Sequence, residues 1–324
     1  MDNSYVLAGD VGGTNLRIAA VSESGSVLRQ VTGATPKTGT SADVIDLIAR
    51  LAQSCIDADD TGLRPLSFGL ALAALINFRE GTVLSSPNLP QLNDLALSEV
   101  LSERLQVNVV LENDATAAAV GEYWLGSSKH SENSVFVTLG TGVGGGLILD
   151  GRVYRGIDGT AGEIGHICVE PDGHACGCGS RGCVEQYASA TAVVRIVREI
   201  LANGGVSSLA GKTTFSSKDV YDAAASGDIV SRQVFKTMGR YLGIALSDLV
   251  DVLNPELIVI GGGAAGSWDL FIDHVRSEID ARAFRHPAAR VKLARASLGE
   301  SAGFLGAARG ALDSLKEPVR GSAM

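Results

Sequence analysis

Short apolar runs rich in β-branched residues alternate along the chain with longer stretches whose apolar positions recur every three or four residues. Switching between a period of two and one of 3.6 is the pattern of an α/β protein. "YVLAGDV" (5–11), "LRIAAVS" (16–22) and "VLRQVTG" (27–33) predict three consecutive strands, joined by a Gly-rich turn and by "SESGS". Residues 41–58 predict an amphipathic helix. "LSFGLALAA" (66–74) and "VNVVL" (107–111) predict buried strands, and "DATAAAVGEYWLG" (114–126) predicts an Ala-rich helix with Asp114 as its N-cap.

The opening theme then returns. "SVFVTLGTGVGGGLILDGRVY" (134–154) again predicts strand, Gly-rich turn, strand, "DG" turn and strand, in parallel with "YVLAGDVGGTNLRIAAVSESGSVL". Two structurally similar halves are expected. Helices follow over about 190–203, 217–226 and 228–252, then a strand "ELIVIGGG" (256–263), another helix, a strand "VKLARAS" (291–297) and a last helix from about 301. No Pro- or Ser-rich linker separates the halves. The boundary falls at the 114–126 helix, giving a smaller α/β domain over 1–115, joined by the C-terminal helix 301–324, and a larger one over 116–300.

A length of 324 residues allows each domain its own core, and 45% hydrophobic with 19% charged residues excludes a disordered chain. The net charge of −9, with no Lys/Arg cluster, argues against a nucleic-acid partner. The N-terminus lacks the basic and apolar regions of a signal peptide, and no apolar stretch has membrane-spanning length, so a cytoplasmic protein without a membrane partner is expected. In that compartment thiols stay reduced, and clustered cysteines point to metal or catalysis before disulfides.

Three Gly-rich turns, "GDVGGTNLR", "GTGVGGG" and "GGGAAG", each follow an apolar strand. One such turn reads equally well as a tight hairpin in which glycine supplies positive φ. Three favour backbone N–H groups open to the phosphates of a nucleotide. Gly140, Gly142 and Gly145 satisfy G-x-G-x-x-G, but strand and turn follow where a dinucleotide fold needs a helix. "GKT" (211–213) has Val206 where a P-loop needs glycine. Asp10, ending the first strand, could hold Mg²⁺ against a polyphosphate or simply bond its own turn. "ENDA" places Glu112, Asn113 and Asp114 at a strand end, where one polar cap would suffice. Asp114 therefore reads as a cap or as a proton acceptor in phosphoryl transfer.

Cys176, Cys178 and Cys183 crowd a Gly-rich loop, with His166 upstream and His174 inside it. Three thiolates and an imidazole make a closed tetrahedral zinc set, although C-x-C-x4-C is not the paired C-x2-C spacing. Without C-x-x-C a redox pair has less support. Cys55 and Cys168 read as small buried apolar residues.

"DVGGTNLR", "SPNLP", "ENDATAAAVGE", "GTGVGGG", "GEIGH" and "CGCGSRGCVEQYAS" follow one another in an order that resembles the ROK family of sugar kinases and repressors, its bacterial glucokinases most of all. The resemblance spans nearly the whole chain. It implies an actin-like ATPase (RNase H-like) fold, with two similar α/β domains around a cleft and ATP-dependent phosphorylation of a hexose, glucose, at its 6-hydroxyl. It implies Asp114 as the base and Asn88, Asn113, Asp114, Glu163, His166 and Glu185 as sugar contacts. Asp10, Gly12, Gly13, Thr14, Thr141 and Gly142 would hold the phosphates of ATP with Mg²⁺, and Gly262 and Gly263 would lie near the adenosine. Structural Zn²⁺ would be bound by His166, rather than His174, with Cys176, Cys178 and Cys183, and the chain would form a homo-oligomer, dimer or tetramer. One segment departs from the family pattern. "LAALINFREG" offers Ala73-Ala74 and then Asn77 where "PG" precedes an aspartate-bearing turn. An N-acetylglucosamine or N-acetylmannosamine kinase is the alternative within the fold. A sugar-responsive repressor is a further one, although "DVGGT" starting at residue 10 leaves no room for a DNA-binding region before it.

Overall fold

A computed structural model describes residues 4–59 and 62–316. The part of the expected last helix over 317–324 lies outside the described residues. The first half runs through β1 (Tyr5–Val11), β2 (Asn15–Ser22), β3 (Val27–Ala34), α1 (Ser41–Asp57) and β4 (Phe68–Leu72). A hairpin of β5 (Leu75–Asn77) and β6 (Thr82–Ser85) follows, then α2 (Leu97–Leu105), β7 (Val109–Asn113) and α3 (Asp114–Leu125). The second half runs through β8 (Ser134–Leu139), β9 (Val143–Leu149), β10 (Arg152–Tyr154), α4 (Glu185–Ala188), α5 (Ala190–Ala202), α6 (Ser217–Ala225) and α7 (Ile229–Leu253). It closes with β11 (Leu257–Gly261), α8 (Trp268–Arg282), α9 (Arg285–Arg290), β12 (Lys292–Arg295) and α10 (Ala302–Ser314). Hairpin β5–β6 and helices α2, α4 and α9 were not foreseen from the sequence.

Two open five-stranded sheets result, ordered β3-β2-β1-β4-β7 and β10-β9-β8-β11-β12. In each, a three-strand antiparallel meander continues into parallel neighbours. The two sheets are similar and flank a cleft. The apolar runs follow from the topology, because parallel strands are covered on both faces. Along β1, Tyr5, Leu7 and Val11 face a core shared with α1 and α2, while Val6 and Ala8 face α10. The second sheet's main core is filled by α5, α7 and α8, with Phe235, Met238, Leu242 and Phe271 buried. Among the described residues no helix is long and apolar enough to cross a membrane.

Helix α10 follows the second sheet in sequence yet packs on β1 and β4 of the first, and also against α3. Its approach is close enough to require missing side chains. A Cβ on Gly306 would overlap the Ala117 carbonyl oxygen, one on Gly121 would overlap that of Ala302, and one on Gly69 that of Ala307. These are backbone atoms within helices and cannot swing away.

Two glycines of α10 therefore separate packing from propensity. Gly306→Ala should destabilise the protein by about 1–3 kcal/mol through overpacking. Gly310→Ala, where a Cβ meets nothing within 4 Å, should stabilise it by about 0.5–1 kcal/mol through helix propensity. Thermal unfolding of both variants checks the sign. A stabilised Gly306→Ala would refute the close crossing.

Candidate active site

Parallel pairing of β1, β4 and β7 sets Val11 beside Leu72 and Leu72 beside Asn113, so the C-terminal ends of β1 and β7 share one sheet edge. Asp10 and Asp114 are delivered to that edge. Asn113, not Asp114, is the N-cap of α3: its Oδ1 accepts from Ala115 N and Thr116 N, each at 3.0 Å. Both residue types cap well, and the helix begins one residue after the better-placed one. Asp114 is the first helical residue, its Oδ1 accepting from Ala115 N at 2.8 Å. Burial, with the nearby charges of Asp10 and Glu163, raises its carboxyl to about 6 against the opposing backbone hydrogen bonds. Asp10 is also raised, by burial first, with Arg17 opposing and Glu300 reinforcing. Glu163 is raised by desolvation and by Glu185, against His166.

The first two glycine turns are not explained by turn geometry. Gly12, Gly13, Gly140 and Gly142 all lack positive φ. A Cβ on Gly13 would come within 3.2 Å of the Asn88 side chain, and one on Gly140 would meet nothing within 4 Å. A Cβ on Gly142 would overlap Glu185 Oε2. That carboxylate accepts from Val143 N at 3.0 Å, so Gly142 and Glu185 are in direct contact although assigned to phosphate and sugar respectively. Thr14 and Thr141 are exposed at their turns. Gly262 does need its glycine, with φ +84 and the Leu139 backbone where a side chain would go.

His166, Cys176, Cys178 and Cys183 place one ligand atom each within 4.8 Å of one another. Cys178 and Cys183 Sγ are 3.7 Å apart, and Cys176 Sγ lies 3.6 Å from His166 Nδ1. One nitrogen and three sulfurs at such spacing fit a closed tetrahedral zinc site. His174 is elsewhere, held by Arg195 Nη1 at 2.9 Å from its Nε2. The two nitrogens of His166 separate its two expected roles, since Nδ1 faces the thiols and Nε2 lies 3.8 Å from Glu163 Oε2. Glu185 also reaches the cluster, its Oε1 4.0 Å from Cys176 Sγ. Cys55 is buried as expected, but Cys168 is exposed, although a β-bridge pairs it with the buried Cys183.

Two cavities sharing Ser217 lead away from the second glycine turn. The first, about 580 Å³, is lined by Thr141, Thr191, Arg195 and Arg198. The second, about 320 Å³, is lined by Lys218, Tyr221, Gly263 and Ser267. Lys218 and Tyr221 are absent from the sequence reading, although their i,i+3 spacing on α6 puts them on one face. The departing segment lies beside the carboxylates: Ala74 O accepts from Asn113 Nδ2 at 3.2 Å. Asn77 Oδ1 accepts from Arg79 N and Glu80 N and so serves the β5–β6 turn.

Comparison with known proteins places this arrangement in context. The ROK family model matches residues 6–313. A glucokinase of Halalkalibacterium halodurans is 34% identical over 312 residues, covering 94% of each chain. A ROK family glucokinase from Streptomyces griseus, solved with glucose and AMPPNP, is 33% identical with a TM-score of 0.80, covering 96% of this chain and 100% of that one. A ROK hexokinase from Thermus thermophilus is 32% identical with a TM-score of 0.82, covering 97% of this chain and 100% of that one.

The cysteine loop generates a direct test. The purified protein should carry one zinc per chain by mass spectrometry, and Cys178→Ser should lose it. Four protein ligands leave no position for a reactive water, so loss of metal should act through loop geometry. Calorimetry should show weakened hexose binding in that variant with nucleotide binding retained. A metal-free wild type of full activity would remove zinc from the account.

Proposed function

The chain belongs to the ROK family, and on that premise we propose that it transfers the γ-phosphoryl group of ATP to the 6-hydroxyl of glucose. The observation that carries this reading is Asp114, a carboxylate freed from capping by Asn113 and raised to about 6. At neutral pH it is ionised, yet far more basic than an ordinary aspartate, as a general base should be. The paired sheets support the actin-like ATPase form of this fold. We read residues up to 115 with α10 as one domain and 116–300 as the other, in keeping with the packing of α10 on β1 and β4.

The chain's own groups divide the work. Asn88, Asn113, Glu163, His166 and Glu185 bind sugar hydroxyls and orient the 6-hydroxyl towards Asp114, which accepts its proton as the oxygen attacks phosphorus. The turns at Gly12–Thr14 and Gly140–Gly142 receive phosphate oxygens, and the Gly263 cavity receives the adenosine. Asp10, a hard oxygen donor beside the first turn, fits Mg²⁺ and its waters. When bound, that cation neutralises charge on the transferring phosphoryl group. Cys176, Cys178, Cys183 and His166 would hold a structural zinc that fixes the loop presenting Glu185, and with its Nδ1 on the thiol side His166 keeps Nε2 for the sugar.

A panel of hexoses with ATP or polyphosphate as donor, read by a coupled assay, tests the reading. Glucose with ATP should be the best pair, and preference for an N-acetyl-amino sugar would replace it with the alternative. Asp114→Asn should lower kcat by roughly 10²–10⁴-fold while leaving sugar affinity near that of the wild type. The pH dependence has a fixed sign. kcat/KM for the sugar should be lost as pH falls through about 6, where Asp114 takes up its proton. Near-normal turnover of a folded Asp114→Asn would remove it as the base.

Gly142→Val is expected to impair both substrates. A branched side chain meets the approaching phosphate and also displaces Glu185, so the Michaelis constants for ATP and glucose should both rise. The contact between Gly142 and Glu185 is what extends the expected defect beyond ATP. A change confined to ATP would show that Glu185 does not read the sugar.

A further inference from the structure

Glu112 is the one member of the "END" triplet that the proposed mechanism does not use. It sits at the end of β7, one residue before Asn113 and two before Asp114. Its carboxylate is largely buried, and Oε2 accepts from Arg155 Nε at 2.6 Å. Arg155 follows β10 in the second half of the chain, 43 residues away in sequence. Its guanidinium also lies over the ring of Phe78, 5.1 Å from the centroid. Phe78 belongs to the turn of the β5–β6 hairpin, within the segment that departs from the family pattern.

Arg155 thus gathers three segments. One is the end of β7, where Asn113 N also donates to Glu112 Oε1 at 3.3 Å. The second is the β5–β6 turn, where Phe78 N donates to Asp158 O at 3.2 Å. The third is the 155–162 loop, which folds back on Arg155: its carbonyl accepts from Gly159 N at 3.1 Å and Ala161 N at 3.3 Å. Gly159 has φ +113 and lies against the Ile76 carbonyl, so the loop and the hairpin meet without an intervening side chain. Immediately after this loop come Glu163 and His166.

We propose that the Arg155–Glu112 pair, backed by Phe78, is a positioning device that fixes the Asn113–Asp114 edge relative to the Glu163–His166 segment. The pair touches no reacting atom. It sets the distance between the group that takes the proton and the groups that orient the sugar. The inference rests on the kinase reading and adds to it a residue set that selects sugar geometry and leaves the nucleotide end alone. The chemistry suits the task. A planar guanidinium stacked on an aromatic ring and bound to a buried carboxylate has little rotational freedom, which a lysine would not reproduce. A misplacement of about 1 Å between a substrate and its catalytic group can cost about 10²-fold in rate.

Single truncations would leave a buried charge unpaired and confuse positioning with folding. The decisive variant is Glu112→Gln/Arg155→Met, which removes both charges while keeping comparable volume. In the full-length, metal-loaded protein it should lower kcat/KM for glucose by about 10- to 100-fold. The loss should appear in the sugar's KM and in kcat, with the KM for ATP and the thermal midpoint close to those of the wild type. Phe78→Leu should give a smaller loss of the same kind, and Arg155→Lys should fall between wild type and the double variant. Unchanged sugar constants in a folded double variant would overturn the inference while leaving the kinase reading intact. Equal losses for ATP and sugar would also overturn it, because they mark a general structural role. A wild type that phosphorylates no hexose would take down the kinase reading and this inference together.

Discussion

Helices α3 and α10 touch through their backbones, and the geometry of the candidate site depends on that contact. Helix α3 begins with Asp114 and packs on β8 and β9 of the second sheet, whereas α10 packs on β1 and β4 of the first. Glycines at 121 and 306 let each helix reach a carbonyl of the other. One turn earlier in α10, Gly303 lies against Asp10, where a Cβ would stand 3.3 Å from Oδ2. The crossing that joins the two sheets therefore also brings Asp10 towards Asp114. Their mutual repulsion in a dry site contributes to the raised Asp114 carboxyl. Packing of small residues at the helix crossing thus bears on an electrostatic property of Asp114.

A second constraint links regions that the sequence keeps apart. Glu185 contacts the Val143 amide through one oxygen and approaches the Cys176 thiol through the other. His166 divides its two nitrogens between the thiols and Glu163. The cysteine loop, the second glycine turn and the acidic groups of the cleft consequently form one connected unit. Residues 163, 166 and 185 meet beside its thiols, which stand close enough together with His166 to fit a metal. A Gly-rich loop has much backbone freedom to lose on ordering, a cost that a bound metal would offset.

Much of this was legible in the sequence wherever a local pattern carried the information. The central strands are apolar runs because both faces are covered, and the repeated strand–turn–strand theme became two sheets of the same order. The β5–β6 hairpin was not legible, since "LINFREGTVLS" mixes short apolar runs with a charged turn too brief for periodicity. Helix α2 was missed because "LSEVLSERL" is short and amphipathic without a strong cap. The cap of α3 went to Asp114 because Asn and Asp cap almost equally well, and only the backbone shows which one stands outside the helix. Candidate residues were found where motifs clustered them. The Arg155–Glu112 pair had no signal at all, because ion pairs across 43 residues leave no periodic trace.

Asp10, Asp114, Glu163 and Glu112 are all shifted upward by burial, and that has a sign for stability. Each such carboxyl binds its proton more tightly folded than unfolded. The stabilisation from the bound proton is full below the ordinary carboxylate range and is lost as pH rises through the folded value, about 6 for Asp114. At neutral pH these groups therefore oppose folding. Arg155 offsets the effect at Glu112, and Arg17 does so at Asp10, but no cation among the causes of the Asp114 shift does the same there. A chain selected for stability alone would pair Asp114 or replace it with its amide. A carboxylate raised by burial at the start of α3, bonded to the Ala115 amide but with no cation opposing its shift, costs stability at neutral pH, and that cost is what the proposed role of Asp114 as proton acceptor asks of the position.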